Sequence, residues 1–120
     1  MRLTLHVKAL SVNDAFRGRH FPTAAKKQYE ESLHFALPKA HVAPGPFYRI
    51  AYDFYLVRFS TTDWDNCVKI TQDCLVRRGI ITDDRLIVDA RVRKFPSKEN
   101  RIEIEIEAAA LPETQGELLG

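Results

Sequence analysis

The chain predicts an α+β fold: one domain with a small mixed β-sheet and two helices, in the order β-α-β-α-β-β. Three observations carry that expectation. Four stretches alternate apolar and polar residues with the period of a half-buried strand. Two others repeat apolar residues every three to four positions, as a helix packed on one side does. At 120 residues, with 45% hydrophobic and 28% charged residues, the chain has the length and composition of one globular domain with one core.

Leu3, Leu5, Val7 and Ala9 alternate with Arg2, Thr4, His6 and Lys8, which predicts the first strand. Residues 11–22 break every periodicity and hold Asn13, Arg17, Gly18 and Arg19, so they read as a long loop of the kind that carries function. Thr23 can cap a helix over residues 24–37, where Ala25, Tyr29, Leu33 and Leu37 form one stripe. Lys26–Glu30 and Lys27–Glu31 are spaced as i,i+4 ion pairs on it, and Pro38 stops it. A turn with Pro44, Gly45 and Pro46 leads to a strong second strand over residues 47–57, with Tyr48, Ile50, Tyr52, Phe54 and Leu56 on one face.

The second helix is expected to start near Asp65 as its cap and to end at Arg77, Arg78 and Gly79, with cations in the last turn and glycine just beyond. Its apolar arc is Cys67, Val68, Ile70, Cys74 and Leu75, and Asp65, Lys69 and Asp73 stack on the opposite side. Leu86, Val88, Ala90 and Val92 then alternate with charged residues, as do Ile102, Ile104 and Ile106. These two strands are expected to form a hairpin that pairs Arg93 with Glu103, Arg91 with Glu105 and Val92 with Ile104. The domain is expected over residues 1–111, with 112–120 as a loosely ordered tail.

A net charge of +2 and a pI near 8.6 are too mild to establish a nucleic-acid partner, so distribution matters more than the total. Arg17, Arg19, Lys26 and Lys27 cluster upstream, beside few acids. No apolar run approaches the ~18 residues that cross a bilayer, and the first residues alternate where a signal peptide is continuously apolar. A cytoplasmic protein without a membrane partner is expected. Cys67 and Cys74, seven apart on a helix, have Cα atoms roughly 10 Å apart, beyond disulfide reach, and read as buried thiols. The four histidines show no metal-ligand spacing. There is no glycine-rich phosphate loop, so no nucleotide cofactor is expected.

The chemistry concentrates between residues 63 and 84. Asp63, Asp65, Asn66, Lys69 and Asp73 fall within eleven residues, and Asp83-Asp84 follows. Carboxylates crowded this closely resist ionising together unless a cation joins them, which points to a divalent metal held by oxygen ligands. Magnesium fits first, because one or two carboxylates, water and substrate phosphate complete its octahedron; manganese is the natural substitute. Cys67 and Val68 stand where a calcium hand needs an acid or amide and a glycine. Metal-dependent phosphodiester cleavage asks for anionic ligands, here Asp63, Asp65 and Asp84, and for a cation near the phosphate, here Lys69. The same residues are also compatible with a helix cap, an exposed ion-pair ladder and a turn. Asp84 reaches Asp65 only if residues 79–84 run straight back along the helix, a span of about 20 Å. Otherwise it serves near Asp73 or meets the acids of a second subunit.

The pattern Asp63-x-Asp65-Asn66-x-x-Lys69-x-x-x-Asp73-x-Leu75, then Gly79, Asp83-Asp84 and a strand ending in Val92-x-Lys94, resembles the RusA family of Holliday junction resolvases. Ser11-Val12-Asn13, Phe16-Arg17-Gly18-Arg19 and the helix bearing Lys26, Lys27 and Tyr29 are similar to that family's opening segment. The resemblance covers roughly residues 3–107. It implies a homodimeric, magnesium-dependent endonuclease that cuts four-way DNA junctions with paired nicks, in recombination and repair. It also implies Asp63, Asp65 and Asp84 as metal-binding acids, Lys69 as a catalytic or phosphate-contacting lysine, and Asn66, Asp83 and Asp73 in support. Some family members carry a basic run directly before the first aspartate, where this chain has Ser60, Thr61 and Thr62. That departure shifts DNA contact onto Asn13, Arg17, Arg19, Lys26, Lys27 and Arg58. A dimer suits the chemistry too, since symmetric cutting of two strands needs two sites and the chain has one acid cluster. The rival readings are a non-catalytic branched-DNA binding protein with a structural ion, and a nuclease acting on RNA or plain duplex.

Overall fold

The computed structural model describes residues 1–9, 16–17, 21–38 and 42–111. Its centre is strand β4 (Phe47–Leu56), which succeeds β1 (Arg2–Leu5) and the two-residue strands β2 (Phe16–Arg17) and β3 (Phe21–Pro22) in the chain. Alternation along β4 sends Tyr48, Ile50, Tyr52, Phe54 and Leu56 inward, all buried. Each such side chain contributes about 1.5–3 kcal/mol of hydrophobic burial. Strands β5 (Ile87–Pro96) and β6 (Arg101–Ala109) complete a four-stranded sheet in the order β1-β6-β4-β5. Helices α1 (Ala24–Ala36) and α2 (Trp64–Arg77) make the architecture α+β, as expected.

The expected β5–β6 hairpin is not formed. β4 lies between the two, parallel to β5 and antiparallel to β6. Residues 97–100 step across the end of β4: Ser97 N–H donates to the Leu56 carbonyl at 3.1 Å, and the Asn100 side-chain oxygen accepts from Val57 N–H at 3.0 Å. The expected rows survive with one residue inserted in each, since Asp53 stands between Arg93 and Glu103, Ala51 between Arg91 and Glu105, and Tyr52 between Val92 and Ile104. Alternation settles which face a side chain takes; it does not name the neighbouring strand.

Other differences are local. The first strand ends at Leu5, although Ala9 is buried. Part of the expected loop over residues 11–22 forms the antiparallel pair β2–β3. Helix α1 is capped as expected, with the Thr23 hydroxyl accepting from Lys26 N–H at 3.2 Å; Tyr29, Leu33 and Leu37 are buried, whereas Ala25 is exposed. Residues 112–120, the expected tail, lie outside the described residues.

The helices lock together through polar contacts as well as packing. Thr71 is buried, its hydroxyl 2.8 Å from the Tyr29 hydroxyl and 3.1 Å from the Cys67 carbonyl, to which it donates. Burying an unpaired hydroxyl is costly, so this pairing makes a polar residue tolerable in the core. Glu30 of α1 binds both Lys26 and Arg77 of α2. Helix α2 ends on Gly79, whose φ of 80° is the left-handed conformation glycine adopts without strain, and Ile80 N–H closes back on the Leu75 carbonyl at 3.0 Å.

Candidate active site

Strand β4 delivers the chain to a 3-10 turn, Phe59–Thr61, and then to Asp63, which caps α2. The cap is two residues earlier than expected. Asp63 has the extended backbone of a cap residue, but its carboxylate accepts no capping hydrogen bond, so capping does not occupy it. Asp65 falls in the first turn, where the positive end of the helix dipole favours a carboxylate. The helical repeat then aligns Asp65, Lys69 and Asp73 along one side of α2. Asp63, Asp65 and Lys69 are exposed, and Asp73 is half-buried. Cys67, Ile70, Thr71, Cys74 and Leu75 face inward and fasten the helix to the core.

Between α2 and the inner face of edge strand β5 runs an open groove of about 570 Å³. Asp65, Lys69, Gln72 and Asp73 form its polar wall, and Trp64, Val68, Ala90 and Val92 its apolar surface. Trp64, between the first two aspartates in sequence, is 53% exposed. Gln72 is fixed from below, its side-chain oxygen accepting from the Tyr52 hydroxyl at 3.0 Å. Neither Trp64 nor Gln72 was expected as part of the site. Trp64 was signalled by its place at the helix start amid acids, and Gln72 by its spacing of three from Lys69.

The acids fall into two groups. Cys67 senses Asp65 and Asp63: burial pushes its thiol up to about 11, Lys94 opposes that, and the two carboxylates add to it. Tyr52 senses Asp84 and Asp73, which add to the larger effect of burial in raising its pKa. Residues 79–84 run back so that the turn bearing Asp84 packs against α2, with Ile80 and Ile81 fully buried on the way. Among the described residues, no three of His, Cys, Asp and Glu gather closely enough to hold a metal within one chain. Asp83 is occupied locally. Its side chain caps the 3-10 turn Asp84–Leu86 by accepting from Arg85 N–H at 2.9 Å, and the Arg85 guanidinium holds its carboxyl at about 2.

The site acids differ from those of the sheet face. On the outer sheet face Asp53 pairs with Arg93, Asp89 and Glu107 with Arg49, Glu103 with Arg101, and Glu105 with Arg2. Among the described residues none of Asp63, Asp65, Lys69, Asp73 and Asp84 enters an ion pair. The acids that brace the outer sheet face are neutralised, whereas Asp65 and Asp73 along this groove enter no ion pair among the described residues.

Of the expected DNA-binding residues, Lys27 and Arg58 are exposed, and Arg58 caps the turn that leads to Asp63. Lys26 is largely covered and bound to Glu30. Asn13 and Arg19 lie outside the described residues, and only the backbone of Arg17, in β2, and of Asn66, in α2, is described. Among the described residues no helix is long and apolar enough to cross a membrane.

Comparison with curated proteins returned no match. A family model described as "Endodeoxyribonuclease RusA" matches residues 13–107, which span β4, α2, β5 and the whole acidic groove. Sharing that pattern over most of its length, the chain belongs to the RusA family of endodeoxyribonucleases, which resolve Holliday junctions.

Proposed function

We propose that the chain is one half of a homodimeric, magnesium-dependent resolvase that nicks a four-way DNA junction symmetrically, in recombination and repair in the cytoplasm. The observation that carries this reading is that Asp65, Lys69 and Asp73 line one groove, and that they, Asp63 and Asp84 enter no ion pair among the described residues. RusA nucleases generally need a divalent metal. Hard, exposed carboxylate oxygens at Asp63 and Asp65 suit magnesium, which takes one or two such ligands and keeps several waters. Asp63 and Asp65 would hold it first, and Asp84, which does not gather with them in the free chain, would close onto it as a third ligand, with manganese as a substitute. When bound, the ion supplies Lewis acidity toward the phosphate and activates water for attack.

The chain's own groups do the rest. Lys69 places its ammonium beside the phosphate and offsets the negative charge that grows there in the transition state. Asn66 and Asp73 support the site from α2, and Asp83 holds the turn that presents Asp84. Arg58 and Lys27 bind backbone phosphates with Asn13, Arg17 and Arg19, which positions the branch without reading sequence, whereas Lys26 is held by Glu30. Two-fold assembly supplies the second site with the symmetry that paired cutting requires.

The test uses a synthetic four-way junction with magnesium, with and without chelator. Expected are paired nicks of matching symmetry that vanish with chelator and with Asp63→Asn. Undiminished cutting by Asp63→Asn, or no metal-dependent paired product, overturns the reading.

A further inference from the structure

We infer that Lys94 is a positioning residue that holds Asp63 in place for the metal. This rests on the reading of Asp63 as a metal ligand. Lys94 lies near the end of β5, opposite Phe54 of β4. The preceding inward positions of β5 are the apolar-surface residues Ala90 and Val92, so packing alone asks for another apolar residue here. The ammonium instead donates to the Phe59 carbonyl at 2.8 Å and the Thr62 carbonyl at 2.9 Å, and stands 4.4 Å from the centre of the Phe59 ring. Two carbonyl acceptors and an aromatic face compensate the partial burial of the cation.

The position of those carbonyls matters more than their number. Thr62 precedes Asp63, and its carbonyl shares a rigid peptide plane with Asp63 N–H. Anchoring that carbonyl fixes the plane from which the Asp63 side chain departs. The other end of the turn is fastened as well, since the Thr62 and Thr61 hydroxyls donate to the Arg58 carbonyl at 2.8 and 3.4 Å. Lys94 thus ties the edge strand to the one segment between β4 and α2 that has no place in the sheet.

The experiment follows manganese binding to the metal-free protein by electron paramagnetic resonance, with Trp64 fluorescence as a second signal and circular dichroism as a check on folding. Lys94→Met keeps length and removes charge and donors; Lys94→Arg keeps both. Expected is weakening of manganese binding by Lys94→Met of about 10- to 100-fold, the range for residues that orient metal ligands. Lys94→Arg should restore binding to within a few-fold. Cleavage by Lys94→Met should recover as magnesium is raised, with KM for the junction unchanged. Should Lys94→Met fail to fold, Lys94→Gln, which keeps a donor, carries the same measurement. Wild-type manganese affinity in a folded Met or Gln variant overturns the inference, as does an Arg variant as weak as Met. If the wild type binds no manganese, or Asp63→Asn binds it as well as the wild type, the metal reading itself falls. That outcome is distinct from a failure at Lys94 alone.

Discussion

Arg93 grips Asp53 across the parallel β4–β5 pair, its Nε and one terminal nitrogen each 3.0 Å from a different carboxylate oxygen. Charge matching in the sequence assigns Arg93 to Glu103, which lies in the same row but one strand farther on. The two arrangements separate in solution. A double-mutant cycle for Arg93 and Asp53, read by denaturant unfolding, should return a stabilising coupling, whereas the cycle for Arg93 and Glu103 should return one within error. The reverse result restores the hairpin.

Lys69 lies between Asp65 and Asp73 along the groove and enters no ion pair among the described residues. A charge reserved for the transition state should affect turnover more than binding. Lys69→Met should lower kcat by about 10²- to 10³-fold, the range for loss of one electrostatic stabiliser, with junction affinity changed only slightly. A loss confined to affinity makes Lys69 an ordinary phosphate contact.

The turn that carries Asp84 packs against α2 of its own chain, so in the proposed dimer a local closure onto the metal brings it to Asp63 and Asp65 of the same subunit. Mixed dimers decide it. Combining Asp63→Asn with Asp84→Asn subunits leaves both sites broken if Asp84 acts within its subunit, and one site whole if it acts across the dimer. Expected is no cleavage; single nicks on the junction assign Asp84 to the partner's site.

Burial pushes the thiols of both Cys67 and Cys74 up to about 11, from 9.0 in an open chain. At pH 8 the native protein should then hold about a hundredfold less thiolate than an unfolded one, and thiol reagents should label it slowly until denaturant is added. The sign for stability follows. Because the folded state keeps its proton longer, this contribution is complete below pH 9 and declines as pH rises through about 11. Replacing both residues with alanine should flatten that alkaline decline in unfolding curves, and an unchanged slope removes the thiols as its cause.

The core, the start of α1 and the end of α2 were legible because each is written locally. Alternation in residues 47–57 marked all five inward side chains of β4, and Thr23 and Gly79 marked the ends of the helices through their own backbone chemistry. Strand neighbours were not legible. A step over β4 and a tight hairpin need the same short link between β5 and β6, and pairing with Asp53 satisfies Arg93 as well as pairing with Glu103 does. In the site, the spacing of Asp65, Lys69 and Asp73 foretold their alignment along one side of α2. The function of Lys94 in the turn did not show, because its partners are main-chain carbonyls at Phe59 and Thr62, which carry no signature of residue type.

The step of residues 97–100 over β4 also governs how the molecule comes into being. β4 is synthesised in mid-chain, yet both of its flanking strands arrive only with residues 87–109, and β1 waits for β6 across about a hundred residues. Contacts so far apart in sequence make folding slow, since the ends of a long loop must meet before any pairing rewards them. On the ribosome the acids of α2 emerge while the sheet beneath them is still unmade. A nascent chain therefore gains its groove only once residues 87–109 have been made, and until then the acids of α2 have no opposite wall to face.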